Sequence, residues 1–184
     1  LHRQGSLDQA EALYRKILDA DPNHADANHM LGVAACQRGE FEQGIECISK
    51  AIQTSPKNAY FHNNLANALL FLGRGDEASA SYAAALDIDP KLAEAHYNTG
   101  NILKDQDRPE EAAQRYERAL AINPEYAEAR SNLGNVLKEI GHLEEAVDCY
   151  ETILAARPDL AEVHFNLGNT LIDLGRSANA TDCY

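Results

Sequence analysis

Residues 127–160 read AEARSNLGNVLKEIGHLEEAVDCYETILAARPDL, and this stretch of 34 residues decides the fold of the chain. In its first half, Leu133 and Leu137 lie one helical turn apart, ahead of Gly141, a residue that readily ends a helix in the left-handed conformation. The second half returns to helical spacing until Pro158, where a helix cannot continue. The stretch therefore predicts two consecutive helices joined by a tight turn.

The same pattern recurs along the chain with a period of 34 residues. The prolines keep this step at Pro22, Pro56, Pro90, Pro124 and Pro158. The predicted turns carry Gly5, Gly39, Gly73, Asp107, Gly141 and Gly175. A further column, mostly tyrosine, contains Tyr14, Ile48, Tyr82, Tyr116, Tyr150 and Tyr184. Repetition of this kind is typical of a solenoid, in which each unit buries its apolar stripe only by stacking on its neighbours.

Small residues predict how the two helices of one repeat meet. One column lies midway along the first helix, at Gly32, Ala66, Gly100, Gly134 and Gly168. Another lies near the start of the second helix, at Ala10, Gly44, Ala78, Ala112, Ala146 and Ala180. Small side chains let two helix axes approach closely, and the tyrosine column is expected to cover that seam. In the third full repeat, Pro109 is expected at the first position of the second helix, with Asp107 as a candidate cap.

These columns resemble the tetratricopeptide repeat, whose pattern is matched by Leu133–Gly134, Gly141, Ala146, Tyr150 and Pro158. The resemblance implies an all-α fold, a right-handed superhelical solenoid of antiparallel helix pairs with the first helix of each pair lining a concave groove. The sequence departs from the family where a large aromatic side chain is common, with Asn28, His62, His96, Arg130 and His164 at that position.

The register of the repeats predicts a single array over residues 1–184. It consists of a partial repeat with only a second helix (1–24), four full repeats (25–58, 59–92, 93–126 and 127–160) and an incomplete repeat (161–184). Solenoids need polar capping helices at their ends, and neither end carries one. We therefore expect a piece of a longer array, whose open ends could associate end to end with another molecule.

Two asparagine columns lie three residues apart on the first helix and so share one face. They contain Asn64, Asn98, Asn132 and Asn166, and then Asn67, Asn101, Asn135 and Asn169, whereas Met30 and Val33 hold these places in the first full repeat. Apolar positions point inward, so the amides are expected to face the groove. An amide has both donors and an acceptor, which suits the backbone of an extended peptide. The alternative is that the amides tie neighbouring helices together and bind nothing.

The two columns also resemble the asparagine ladders of O-GlcNAc transferases, and this resemblance implies that they hold polypeptide. The candidate site is completed by Tyr97, Phe165, Lys104 and Lys138. Carboxylates on the same surface are more numerous than these lysines: Asp26, Glu94, Asp105, Glu128, Glu139, Glu162 and Asp173. A groove of this composition is expected to accept neutral or basic peptides and to repel acidic ones.

The net charge of −13 disfavours nucleic acid and anionic membranes as partners. No apolar run approaches the roughly 20 residues of a membrane span. The cysteines (Cys36, Cys47, Cys149 and Cys183) form no CxxC pair, which is typical of reduced thiols and favours a cytoplasmic location. We find no motif for a metal, a cofactor or a catalytic nucleophile, so this chain by itself is not expected to be an enzyme.

Three functions remain open at this point. The first is a protein–protein interaction scaffold that binds an extended peptide or partner protein through the asparagine ladder. The second is a substrate-recruiting arm of a larger glycosyltransferase resembling the O-GlcNAc transferases. The third is a self-assembling architectural module. Because the ladder would serve the first two equally, these residues alone do not separate them.

Overall fold

The computed structural model describes residues 7–176 and 180, and the regular secondary structure in this part of the chain is entirely α-helical. The helices are α1 (Leu7–Ala20), α2 (Ala25–Gln37), α3 (Phe41–Thr54), α4 (Ala59–Phe71), α5 (Gly75–Ile88), α6 (Ala93–Asp105), α7 (Pro109–Ile122), α8 (Ala127–Glu139), α9 (Leu143–Ala156) and α10 (Ala161–Asp173). The prediction of an all-α array of helix pairs is confirmed. Predicted positions such as Gly5, Cys183 and Tyr184 lie outside the described residues.

The chain divides into two compact units, one ending at Lys91 and the other beginning at Leu92. In the first unit α2 pairs with α3 and α4 with α5, while α1 packs on α2 and α3 packs on α4. In the second unit α6 pairs with α7 and α8 with α9, while α7 packs on α8 and α10 packs on α9. Within each unit, a second helix therefore packs both on the first helix of its own repeat and on the first helix of the next, as stacked repeats require.

Close approach at the predicted small residues positions the two helices of a repeat. A Cβ atom added to Gly100 would lie 2.6 Å from Cε1 of Tyr116, and one added to Gly134 would lie 2.8 Å from Cε1 of Tyr150. Both tyrosines are fully buried. In the first full repeat, the same added atom at Gly32 would lie 2.7 Å from Ile48. In these three repeats the seam therefore has no room for a side chain at this position of the first helix, and its cover comes from the second helix.

The polar residues that stand where the family commonly has a large aromatic side chain have a structural role. In four repeats the side chain at this position hydrogen bonds to the carbonyl oxygen of the repeat proline six residues earlier. The pairs are Asn28 Nδ2 to Pro22 at 3.0 Å, His62 Nε2 to Pro56 at 2.9 Å, Arg130 NH2 to Pro124 at 2.7 Å and His164 Nε2 to Pro158 at 2.9 Å. Polar side chains here fix the start of these four first helices to the preceding turn.

The turn inside each repeat needs a residue in the left-handed conformation. Gly141 supplies it with φ of 84°, and Asp107 supplies it in the α6–α7 turn with φ of 59°. Arg108, not Asp107, occupies the N-cap of α7, and its side chain makes no capping hydrogen bond. The prediction that Asp107 caps α7 is therefore wrong, whereas Pro109 does begin the helix as expected.

Replacing Asp107 with glycine is expected to stabilise the protein. The left-handed conformation costs an L residue about 1–2 kcal/mol, part of which is offset by the greater freedom of glycine in the unfolded chain. We expect the Asp107→Gly variant to gain roughly 0.5–1 kcal/mol in the free energy of unfolding, measured by urea denaturation. The matched variant Asp105→Gly, at the last residue of α6, should lose a few tenths of a kcal/mol instead. A gain in both variants would contradict this explanation.

Candidate functional site

In the three full repeats that carry an asparagine pair, the second asparagine is fixed by the tyrosine that covers the seam of the same repeat. In each case the phenol donates a hydrogen bond to the side-chain carbonyl oxygen of the asparagine. The pairs are Tyr82 to Asn67, Tyr116 to Asn101 at 2.8 Å and Tyr150 to Asn135 at 2.8 Å. A buried phenol needs an acceptor, and the asparagine provides one at the edge of the seam.

The first asparagine of the last two pairs reaches back to the preceding repeat. In the second unit, Nδ2 of Asn132 donates to Oδ1 of Asn101 at 2.9 Å, which joins α8 to α6. Nδ2 of Asn166 donates to Oδ1 of Asn135 at 3.2 Å, which joins α10 to α8. We use the term asparagine ladder for the amides of this unit, which are Asn98, Asn101, Asn132, Asn135, Asn166 and Asn169.

The hydrogen-bonded pairs Asn101–Asn132 and Asn135–Asn166 are the complete rungs of the ladder. Each of them leaves two polar groups unused. Among the described residues, Oδ1 of Asn132 and Oδ1 of Asn166 accept no hydrogen bond, and Nδ2 of Asn101 and Nδ2 of Asn135 donate none. Asn135 is exposed, and the other three are half-buried. Internal bonding therefore orients these amides but uses only one polar atom of each, which leaves one donor and one acceptor per rung.

In the first unit Asn64 has a different partner, because Val33 occupies the second-column position of the preceding repeat. Nδ2 of Asn64 lies 2.8 Å from Nε2 of His29. His29 is buried and stacks on Phe61 with the ring centroids 4.5 Å apart. Burial lowers the pKa of His29, which favours the neutral imidazole that can accept through Nε2. The missing asparagine at position 33 is the one sign of this pair that can be read from the sequence.

The remaining predicted site residues occupy varied environments. Tyr97 packs on Tyr116 and Tyr126, with ring centroids 6.0 and 4.9 Å apart, and its hydroxyl lies 3.5 Å from Nδ2 of Asn132. Phe165 is 56% exposed, Lys104 is exposed, and Asn98 and Asn169 are half-buried. Lys138 forms an ion pair with Asp173 at 3.3 Å, which adds a second link between α8 and α10.

The phenols beside the ladder are held in their neutral form. Burial raises the pKa of Tyr150 to about 12, with a smaller contribution from Cys149. Burial likewise raises the pKa of Tyr126 to about 12 and that of Tyr116 still further. At neutral pH the hydroxyl groups of Tyr116 and Tyr150 are donors, which keeps the side-chain carbonyl oxygens of Asn101 and Asn135 turned toward the seam.

Other chemistry is sparse in the described part of the chain. There, no three His, Cys, Asp or Glu side chains come together in a way that could hold a metal ion. None of the helices described is long and apolar enough to span a membrane. Cys36, Cys47 and Cys149 are free thiols, and burial raises the pKa of each, that of Cys149 to about 11. Such thiols are weak nucleophiles near neutral pH.

Comparison with known proteins agrees with this geometry. Models described as tetratricopeptide repeat match residues 1–51 together with 103–165, residues 58–125 and residues 161–184. A model described as TPR repeat matches residues 32–73. No curated protein matches the sequence.

Several solved structures share the fold. YrrB, a TPR protein with an unusual peptide-binding site, has a TM-score of 0.82 and 20% identity over 92% of this chain and 88% of its own. MamA has a TM-score of 0.79 and 23% identity over 86% of this chain and 87% of its own. PilF of Pseudomonas aeruginosa has a TM-score of 0.73 and 28% identity over 87% of this chain and 73% of its own. With one family model alone matching more than half of its residues, the chain belongs to the tetratricopeptide repeat family.

Proposed function

We propose that the asparagine ladder of the second unit binds the backbone of an extended peptide from a protein partner. The tetratricopeptide fold is typical of protein–protein interaction scaffolds. The observation that supports this proposal is the unused donor and acceptor on each complete rung. A peptide backbone offers the complementary N–H and C=O groups whatever its side chains are.

The spacing of the rungs suits an extended chain. Neighbouring packed helices lie about 8–10 Å apart, and an extended peptide advances about 3.4 Å per residue. Each rung would therefore meet the peptide about once every three residues. Because internal hydrogen bonds already fix the amides, binding would cost little side-chain entropy.

Charge and apolar contacts narrow the class of peptide. Glu128, Glu139 and Glu162 lie on the same helices as the ladder, and the chain has a net charge of −13. A neutral or basic peptide is therefore favoured over an acidic one. The exposed ring of Phe165 would add an apolar contact beside Asn166. A free-standing scaffold and the recruiting arm of a larger enzyme would share this binding step.

A change of amide to carboxylate tests the ladder while keeping its internal bonds. In the variant Asn101→Asp/Asn135→Asp, each carboxylate can still accept from its tyrosine and from the next asparagine, but the unused donor is lost. A hydrogen bond contributes about 0.5–1.5 kcal/mol, so two lost bonds should weaken binding about tenfold to hundredfold. The measurement is fluorescence anisotropy with an unbiased library of neutral peptides about 12 residues long, enough to pass several rungs.

The control introduces the same two charges elsewhere in the second unit. Gln106→Glu/Gln114→Glu changes two exposed amides away from the ladder and should leave peptide affinity unchanged. Circular dichroism and the melting temperature establish that both variants remain folded. The proposal fails if the ladder variant binds the library as tightly as the wild-type chain, or if the wild-type chain binds no peptide.

A further inference from the structure

The first unit contains an apolar pocket beside its asparagine pair. Its volume is about 280 Å³, near the lower end of the range for pockets that hold small ligands. No charged side chain is among the described residues that line it. The residues that line it include Val33, Phe41, Ile48, Asn64, Asn67 and Phe71.

The pocket exists because the first full repeat departs from the columns of the other repeats. Where later repeats place a tyrosine over the seam and bond it to an asparagine, this repeat has Ile48 and Val33. The shorter side chains leave the volume that a phenol and an amide fill elsewhere. The close approach of the helices is retained, since an added Cβ on Gly32 would lie 2.7 Å from Ile48. The departure has therefore opened a pocket without separating the helix pair.

An exposed aromatic ring stands at the edge of this pocket. Phe71 is 74% exposed and stacks on Phe41, with ring centroids 4.7 Å apart and an angle of 11° between the planes. The equivalent positions in the other full repeats are polar or acidic: Gln37, Asp105 and Glu139. A large apolar residue at a position that is polar or charged in the other full repeats extends the apolar surface outward from the pocket.

We propose that this pocket holds one large apolar side chain, such as leucine or phenylalanine, of an extended basic peptide. The inference rests on the proposed function, because it extends the binding of an extended peptide to the first unit, where the peptide backbone would lie against Asn64. The amide of Asn64 lines the pocket and is oriented by its bond to His29. Apolar walls beside a fixed amide suit a side chain that enters while its own backbone stays outside.

Charge complementarity selects a basic peptide as the occupant. The chain carries a net charge of −13, and the walls of the pocket contribute no charge of their own. Basic residues on either side of the apolar anchor would be attracted by Glu40 and Glu42, the exposed carboxylates that flank Phe41 in the sequence. A second copy of the chain would carry the same negative charge and would be repelled.

Two basic peptides that differ at one position test the pocket. Both consist of lysine, serine and glycine, and the central residue is leucine in one and alanine in the other. Burial of the leucine side chain should make that peptide bind about tenfold or more tightly than the alanine peptide. The variant Val33→Asn/Ile48→Tyr introduces the asparagine–tyrosine pair that Asn67 and Tyr82 form in the next repeat, and this pair should fill the pocket. In this variant the two peptides should bind equally. The exposed substitution Phe71→Asp should also reduce the preference for leucine.

The outcomes separate the pocket from the ladder. If the wild-type chain binds both peptides equally, or if the filled pocket keeps the preference for leucine, the inference is overturned while the ladder proposal stands. If neither peptide binds, both proposals are overturned. If sedimentation shows self-association that Phe71→Asp abolishes, a second copy occupies the pocket and the peptide assignment is wrong. A preference that the Asn101→Asp/Asn135→Asp variant leaves unchanged supports a pocket separate from the ladder.

Discussion

The variant Gly134→Leu is expected to lose about 3 kcal/mol or more in its free energy of unfolding, because overpacking a filled core typically costs 1–3 kcal/mol and sometimes more. Even a single Cβ atom at this position would lie 2.8 Å from Cε1 of Tyr150 and 3.3 Å from Cβ of Cys149. The Tyr150 ring is fully buried, so it can move aside only by displacing its neighbours. Urea denaturation followed by circular dichroism measures the loss.

Two further variants identify the collision with the tyrosine as the cause. Gly134→Ala should cost only about 1 kcal/mol, since Ala66 occupies the equivalent position in a repeat whose Tyr82 is also fully buried. Removing the ring in Gly134→Leu/Tyr150→Ala should destabilise by less than the sum of the single changes, by about 1 kcal/mol or more. Additive losses would show that the leucine is rejected by something other than the Tyr150 ring.

Raising the pH from 10 to 12 is expected to reduce the stability of the protein steeply. In the unfolded chain a tyrosine loses its proton near pH 10, whereas burial raises the pKa of Tyr150 to about 12 in the folded state. Below pH 10 both states keep the proton, and the contribution is fully present. Between pH 10 and 12 the unfolded state releases it first, which removes about 2–3 kcal/mol for Tyr150 alone. Tyr116, whose pKa is also raised by burial, adds to the loss.

The variant Tyr150→Phe separates this contribution from other alkaline effects. It should be less stable by about 1 kcal/mol at neutral pH, since the phenol no longer donates to Asn135. Its decline above pH 10 should be shallower than that of the wild-type chain. Tyr60→Phe, which changes a ring that is 61% exposed, should leave the decline unchanged. Parallel declines in wild-type and Tyr150→Phe chains would contradict the assignment.

Most of the fold could be predicted from local sequence. The step of 34 residues between prolines, the glycine turns and the small-residue columns placed the helices and the seams where the structure has them. These signals act within a few residues, through backbone conformation and helical periodicity. Asp107 was misassigned because an aspartate fits both an N-cap and a left-handed turn, and only the backbone geometry separates the two.

The candidate site was predicted only in part. The two asparagine columns were visible in the sequence, and their alignment on one face followed from helical spacing. Their partners were not. The tyrosines were expected to cover the seam, but their bonds to asparagines 15 residues earlier were missed, although both columns keep that separation. Asn64 and His29 occupy the same two repeat positions as Asn132 and Tyr97, whose polar atoms lie 3.5 Å apart. The residue type at the partner position changes from repeat to repeat, so no column reveals the pairing.

What the sequence determined by itself was the repeat, because period, turns and close packing depend on contacts that recur in every copy. What only the tertiary structure decided was the use of each polar atom and the shape of each cavity. Asn132 meets Asn101 from 31 residues away, and the bond depends on how one repeat rests on the next. The pocket at Ile48 likewise arises from side chains of α2, α3 and α4 that converge only when those helices are packed.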